Sequence, residues 1–589
     1  MTVVKADSAG FITQIPVKRG DLVAEGAPLV VTELMKMHRA FEAPFGCRVE
    51  QIHVAEGAEV SPGDPLITIS PADALGEAKD DGPQERADLR EFLERLALTS
   101  DEARPDAVAK RHAKGRRTAR ENVEDLFDPD SFLEYGALAV AAQRTRRSED
   151  DLARNTPADG IICGTGTVQG RPVAVMAVDY SVLAGTQGYF HHRKMDRLIE
   201  VAKKGALPIV LFAEGGGGRP NDDDVGHMMA AWLSVTSFRH FAAHKGPKIG
   251  IAAGYCFAGN AALFGVCDVR IATEDSCIGM GGPAMIEGGG LGAVLPTDVG
   301  PSSIQRATGV IDVLVASEGE AVAAAKALLG LSVPQASHAR DMSHLRQSLP
   351  TDRTRAYDMR DVIEALIDPG SGLELRADFG VGMMTWLGRI DGRAVGLLAN
   401  NPLHLGGAID AEAADSAARF MQLCDAWGLP LVTLCDTPGF MVGPEVETTG
   451  QVAHVSRMFL AGAHFQQPLV TVLLRKAYGL GAMAMAGGGF DRPQLCCAWP
   501  SAELGAMGLE GAVKLGYREK LAAIKDPAER EATFQALVDA LYDRGKAISA
   551  AQFLEFDAVI DPAETVRAIS RAFASAGDTT PGGGYVDAW

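Results

Sequence analysis

No two of the nine cysteines stand in C-x-x-C spacing, and Cys496 and Cys497 are direct neighbours. That excludes a zinc ribbon and offers no disulfide framework, so reduced buried thiols and a cytoplasmic protein are expected, with no metal site. The opening Met1-Thr2-Val3-Val4-Lys5-Ala6-Asp7 lacks the apolar core of a secretory signal. Positive charge is in deficit: 56 Lys and Arg against 76 Asp and Glu leave −20, which argues against nucleic acid as a partner. One uncharged stretch, 249–267, reaches membrane-spanning length. It is broken by Gly250, Gly254, Gly259, Asn260 and Gly265, so it reads as a buried strand–turn–helix and no membrane is expected. Glu214-Gly215-Gly216-Gly217-Gly218-Arg219 is rich in glycine but lacks the Lys-Ser/Thr of a nucleotide P-loop.

What is present begins with length. A chain of 589 residues exceeds what one core can hold and predicts several domains. The first 70 residues carry short alternating stretches such as Val49-Glu50-Gln51-Ile52-His53-Val54, punctuated by glycine and proline, which predict small antiparallel strands. Gly20-Asp21 to Pro28-Leu29 is echoed by Glu56-Gly57 to Pro65-Leu66. Between the echoes, Glu33-Leu34-Met35-Lys36-Met37 puts Lys36 at the centre of the dyad, on an exposed hairpin tip. Residues 71–85 are an acidic linker with glycine and proline, whose r.m.s. reach is roughly 20 Å.

Helical periodicity starts near Arg86, with Leu89, Phe92, Leu93 and Leu96 on one face. The basic run from Lys110 to Arg120 is either a solvated face or a dock for phosphate. Beyond it the chain repeats. Val168-Gln169-Gly170-Arg171 recurs 222 positions on as Ile390-Asp391-Gly392-Arg393, Leu207-Pro208 recurs 222 on as Leu429-Pro430, and Pro247 recurs 221 on as Pro468. Two copies of one α/β domain follow. In each, strands end in glycine-rich turns ahead of helices, where unpaired N–H groups bind oxyanions. Gly254 to Ala261 and Arg475 to Ala482 are one such pair, related by an offset of 221.

The Met35-Lys36-Met37 segment resembles the biotin carboxyl carrier domain, although Leu34 stands where that family usually has alanine. Residues 85–589 resemble the carboxyltransferase of acyl-CoA carboxylases at His112-Ala113-Lys114-Gly115, Asp436-Thr437-Pro438-Gly439-Phe440, Arg475-Lys476-Ala477-Tyr478-Gly479 and Ala498-Trp499-Pro500. The resemblance implies a small all-β flattened barrel (the biotinyl hammerhead) followed by two duplicated α/β crotonase-like (ββα spiral) domains. The expected boundaries are 1–70 for the carrier, 71–85 for a flexible linker, and 86–345 and 346–589 for the N- and C-terminal carboxyltransferase domains. It implies biotin on Lys36 between Met35 and Met37, and carboxyl transfer from carboxybiotin to the α-carbon of an acyl-CoA through a thioester enolate.

Ala258 and Gly259 would hold the thioester oxygen; Gly479, Leu480 and Gly481 would hold the ureido oxygen. Gly185, Gly216, Gly217 and Lys194 would meet the coenzyme A thioester. His191, His192, Arg193 and Lys194 would face its phosphates or form a solvated helix face. Gly481→Val is expected to lose transfer without altering the melting temperature. Met483 stands where short-chain carboxylases have an acid, so the pattern looks more like single-chain long-chain acyl-CoA carboxylases. The resemblance further implies a homo-oligomer, as a hexamer, a biotin protein ligase, and a separate biotin carboxylase subunit using ATP, magnesium and bicarbonate. Two alternatives stay open: the carboxyltransferase of a membrane-coupled, sodium-pumping acyl-CoA decarboxylase, and a non-enzymatic biotinylated scaffold.

Overall fold

Alternation of apolar and polar residues in the first 70 positions gives each strand one face to bury, and the strands close on one another in two sheets. In the computed structural model, which describes residues 1–72, 86–220, 222–224, 235–333, 335–336 and 340–589, these strands are β1 (Thr2–Lys5), β2 (Gly10–Gln14), β3 (Leu22–Val23), β4 (Pro28–Leu34), β5 (Met37–Glu42), β6 (Cys47–Ile52), β7 (Glu59–Val60) and β8 (Pro65–Pro71). Two antiparallel four-stranded sheets, β1-β8-β6-β3 and β5-β4-β2-β7, enclose Ile12, Leu29, Val30, Leu66, Ile67 and Ile69. The echo in the sequence is an echo in space: β4 and β8 bury the same alternate positions. Residues 73–85, most of the expected linker, lie outside the described residues.

The chain forms two compact units, Met1–Leu93 and Glu94–Trp589. The helix Ala87–Ala97 forms as the periodicity predicts, but none of its residues is buried, and Leu89, Phe92, Leu93 and Leu96 stay exposed.

The second unit repeats one plan. Its first copy has β9 (Leu133–Glu134), β10 (Ile161–Val168), β11 (Arg171–Val178), β12 (Ile209–Phe212), β13 (Lys248–Ala252), β14 (Tyr255–Phe257), β15 (Val269–Thr273), β16 (Cys277–Gly279) and β17 (Val313–Val315). Its second copy has β18 (Leu373–Leu375), β19 (Met383–Ile390), β20 (Arg393–Asn400), β21 (Leu431–Thr437), β22 (Leu469–Tyr478), β23 (Leu495–Ala498), β24 (Glu503–Gly505) and β25 (Ala558–Val559). The sheet orders, β17-β15-β13-β12-β11-β10-β9 and β18-β19-β20-β21-β22-β23-β25, are the same path read from opposite ends. Each has an antiparallel hairpin, β10/β11 or β19/β20, followed by parallel strands. The inner parallel strands are covered on both faces, which is why β12 and β13 are buried at every position. The uncharged stretch 249–267 is accordingly strand, short strand and helix, and among the described residues no helix is long and apolar enough to cross a membrane.

The helix Tyr189–Gly205 packs Met195, Leu198, Ile199 and Ala202 inward, the 3–4 spacing of one buried face. It ends in a left-handed residue, Ala206 (φ 47°); its counterpart 222 positions on is Gly428 (φ 68°). Left-handed backbone suits glycine, so the second copy has the relaxed residue and the first does not. Between the copies, Asp312 is fully buried against three guanidiniums, from Arg270 on β15 (3.1 Å), Arg376 (3.0 Å) and Arg419 (3.2 Å). Burial alone would raise this carboxyl, but the three cations outweigh it and hold it well below the usual range. Met342 and Leu345 pack in the second copy's core, and Arg340 donates to the carbonyls of Ala365, Leu366 and Ile367.

Candidate active site

Lys36 sits where the dyad predicts. Leu34 pairs with Met37 across the β4–β5 hairpin, leaving Met35 (φ 53°) and Lys36 (φ 65°) as a two-residue tip with both residues left-handed. Two-residue hairpin loops need that geometry, which normally selects glycine or asparagine. Non-glycine residues are held there at a cost in backbone strain. Met35 is 91 % exposed and Met37 74 %, so an apolar collar surrounds an exposed primary amine.

In the second unit, the first turn is built where β12 ends and the helix Gly259–Gly265 begins. Gln187 N–H donates to Gly217 O and Arg219 N–H to Gln187 O, so Gly218 N–H points to the opposite side. Among the described residues, neither Gly218 nor Gly259 N–H has an acceptor. The second turn repeats this after β21: Ile409 N–H donates to Gly439 O and Met441 N–H to Ile409 O. Phe440 and Leu480 N–H, at offsets of 222 and 221 from the first pair, are without an acceptor among the described residues. The strands of each turn touch. A Cβ at Gly217 would lie 3.7 Å from Gly259 N, and one at Gly481 would lie 3.2 Å from Phe440 N.

One role expected from the sequence changes. Ala258 N–H already donates to Gly279 O at 3.0 Å, so Ala258 (φ 50°, ψ −116°) supplies the bend and not a donor. Gly479 (φ 55°) is its counterpart. Gly481 is buried against Gly439 and acts as a spacer. Gly185 (φ 64°) lies against Glu214 O, where a Cβ would collide with main chain, and Gly216 N–H donates to Ala184 O at 3.2 Å. These two glycines, with Gly217, frame the first turn.

Lys194 meets neither expectation: it lies inside, its ammonium donating to Ala158 O (2.9 Å) and Ile161 O (2.5 Å). His191 and His192 are buried too, and burial pushes both imidazoles down, His192 to about 4. Of the four, Arg193 alone is exposed. The signal was present, since His191 lies four residues before Met195 on the stripe that packs inward.

The basic run instead reaches a cavity of about 780 Å³, lined by Arg104, Lys110, Arg111, Lys114, Arg116 and Tyr255 among others. At its floor Arg111 grips Glu214 with two bonds, 2.7 and 2.9 Å. Burial pushes the Glu214 carboxyl up to about 7, against the pull of that guanidinium. Glu214 is followed directly by the glycines of the first turn, so the cavity and the turn share one segment. Asp436, at the matching point of the second copy, is held by Arg475 (3.1 Å) and Tyr357 OH (2.9 Å). Among the described residues no group of three or more His, Cys, Asp or Glu gathers to hold a metal.

Comparison with known proteins identifies both units. Residues 2–69 match the family described as biotin-requiring enzyme, and residues 110–580 match the carboxyl transferase domain. The chain is 33% identical over 485 residues to the methylmalonyl-CoA carboxyltransferase 12S subunit of Propionibacterium freudenreichii subsp. shermanii, covering 79% of this chain and 89% of that protein. It is 34% identical over 500 residues to the biotin-dependent long chain acyl-coenzyme A carboxylase beta4 subunit of Mycobacterium tuberculosis, covering 81% and 92%. Among solved structures, a single-chain, multi-domain long-chain acyl-CoA carboxylase is 50% identical with a TM-score of 0.78, covering 97% of this chain. This chain spans 56% of that one, little more than half its length. The transcarboxylase 12S hexamer with methylmalonyl-CoA bound is 29% identical with a TM-score of 0.75, covering 85% of this chain and 99% of that one. With a biotin-requiring domain ahead of a carboxyl transferase domain, the chain belongs to the biotin-requiring carboxyl transferase family, of the acyl-CoA carboxylase type.

Proposed function

We propose that this chain transfers a carboxyl group from biotin on Lys36 to the α-carbon of an acyl-CoA, using the two turns as a pair of oxyanion holes. The observation that carries the reading is the repetition in both copies of two N–H groups without an acceptor among the described residues, Gly218 with Gly259 and Phe440 with Leu480. Lys36 fits attachment, because its amine stands at a hairpin tip and Met35 and Met37 offer apolar contact for a fused ring. Biotin so attached supplies the activated carboxyl group and the base for the α-proton. Gly218 and Gly259 N–H hold the thioester oxygen as negative charge collects on it. Phe440 and Leu480 N–H hold the ureido oxygen. A preorganised backbone donor of this kind is worth about 2.7–4 kcal/mol in the transition state. No side-chain base is required at either turn. Gly185, Gly216 and Gly217 let the segments of the first turn pack closely behind its donors, and Lys110 and Lys114 take the place of Lys194 at the phosphates.

The copies are read as two crotonase-like domains whose junction falls before Arg340, earlier than position 345, since Arg340, Met342 and Leu345 serve the second copy. Leu291 (79 %), Leu295 (65 %), Val442 (79 %) and Leu480 (60 %) are exposed, which supports a homo-oligomer, by analogy a hexamer, that covers them. ATP, magnesium and bicarbonate act through a separate biotin carboxylase, and a biotin protein ligase loads Lys36.

The test supplies the biotinylated chain with a biotin carboxylase subunit, ATP, magnesium, bicarbonate and acetyl-, propionyl- and palmitoyl-CoA. Carboxylation of one of them that disappears, together with streptavidin-detectable biotin, in Lys36→Arg is expected. Biotin retained on Lys36→Arg, or no carboxylation of any thioester by the wild type, refutes the reading.

A further inference from the structure

Gln187 and Asn260 are the buried polar pair that the mechanism above leaves unused. Gln187 is 3 % exposed and Asn260 fully buried. Gln187 Nε2 donates to Asn260 Oδ1 at 3.0 Å, while Asn260 Nδ2 donates to Gly185 O at 3.1 Å and Gly216 O at 2.7 Å. The main chain of Gln187 is the strand that pairs with Gly217 and Arg219, and its side-chain Oε1 lies where a Cβ on Gly259 would fall. Two amides therefore tie together the three segments that make the first turn: 185–187, 216–219 and the start of the helix at 259.

The second copy has no such pair. The counterparts of Gln187 and Asn260 are Ile409 and Gly481, at the same offsets of 222 and 221. There the main chains meet directly, since a Cβ at Gly481 would lie 2.7 Å from Gly439 Cα. Gln451 steadies that turn from outside, its Nε2 donating to Ile409 O at 3.1 Å. An apolar residue and a glycine suffice for a crossing of this kind, so the amide pair is not demanded by the fold.

We infer that Gln187 and Asn260 form an amide bracket that positions the Gly259 and Gly218 donors against the thioester oxygen, making both of them positioning residues for the acyl-CoA half of the reaction. This rests on the first turn holding the thioester. The bracket fixes direction as well as distance. Asn260 Oδ1 is committed to accepting from Gln187, which turns Nδ2 toward both carbonyls and sets the pitch of the first helical turn. The ureido half, which has no bracket, is independent of it.

The test measures steady-state carboxylation, with a biotin carboxylase subunit present, of whichever of acetyl-, propionyl- and palmitoyl-CoA the wild type carboxylates fastest. Gln187→Leu keeps the volume, and Asn260→Gly reproduces the second copy. Each is expected to lower kcat roughly 10- to 100-fold, the scale of a donor displaced by up to about 1 Å. The KM for the thioester should stay within about two-fold. The double variant should fall no further than the worse single one, because one unit has been removed. Calorimetric affinity for coenzyme A should be unchanged in all three. If Leu or Gly prevents folding, Gln187→Glu decides, since it keeps size and Oε1 but loses the Nε2 donor. A kcat within about two-fold of wild type in folded variants overturns the inference, as does a loss of kcat matched by equal losses in thioester KM and coenzyme A affinity, which marks a general scaffold role. A wild type that carboxylates no thioester sinks the reading of function instead, and the two failures are told apart by that control.

Discussion

A methyl group added at Gly481 tests the second turn with the smallest possible change. An ideal Cβ there would lie 2.7 Å from Gly439 Cα, 2.9 Å from Gly439 C and 3.2 Å from Phe440 N. Ordinary contact begins at 3.4 Å. Either the 437–440 turn or the helix Gly479–Met485 must therefore retreat by about 0.7 Å, and main chain has no rotamer by which to swing aside. Phe440 and Leu480 N–H lie on opposite sides of that contact, so their spacing opens by a comparable amount. A misplacement of about 1 Å at reacting atoms costs about 100-fold. The expected loss in kcat for Gly481→Ala is thus about 10- to 100-fold, with thioester KM unchanged because the first turn is untouched. Overpacking of this kind also costs about 1–3 kcal/mol, so the melting temperature falls. That corrects the expectation from sequence that even valine here would leave folding unaffected. The assay is acyl-CoA carboxylation alongside calorimetric melting. A Gly481→Ala protein that melts lower but turns over at the wild-type rate would show that the second turn only packs.

Glu214 titrates near 7 in the folded chain, above its value of about 4.3 when unfolded. Its contribution to stability is therefore complete below about pH 4 and is lost as pH rises through about 7, on the order of 3 kcal/mol in all. Melting curves from pH 5 to 8 should fall more steeply for wild type than for Glu214→Gln; parallel curves refute the assignment. Ala206→Gly relieves a left-handed alanine at an exposed helix end and should stabilise by about 0.5–1 kcal/mol in denaturant titration; destabilisation refutes it. Lys110→Ala with Lys114→Ala should weaken coenzyme A binding, and the difference from wild type should shrink as salt is added. Lys194→Met should leave that affinity unchanged while altering the melting temperature, and loss of binding there restores Lys194 to the phosphates.

Lys36 was legible because everything that defines it is local: two flanking methionines and an echo on either side. The two turns were legible because a duplication at a constant offset reveals equivalent residues even where the letters differ, as with Gly259 and Leu480. What stayed hidden depends on distant partners. Whether Ala258 N–H is free is decided by Gly279, 21 positions on, through the pairing of β14 with β16. The inward turn of Lys194 is decided by the carbonyls of Ala158 and Ile161, which no spacing in the helix announces. Periodicity gave the helix Ala87–Ala97 but not the fate of its apolar face, because a stripe of leucines states that something should cover it and not what.

Asp312 bears on how the duplicated unit comes apart. Arg270 belongs to the first copy and Arg376 and Arg419 to the second, yet all three share one carboxylate. If the first copy opened alone, two guanidiniums would be left in the interior without a counter-ion, a state of high energy. The first copy therefore cannot melt ahead of the second without that cost, and residues 94–589 are expected to give one calorimetric endotherm where two similar domains would ordinarily give two. The repeat that is so plain in the sequence is then expected to have no thermodynamic counterpart, the two copies melting as a single cooperative unit.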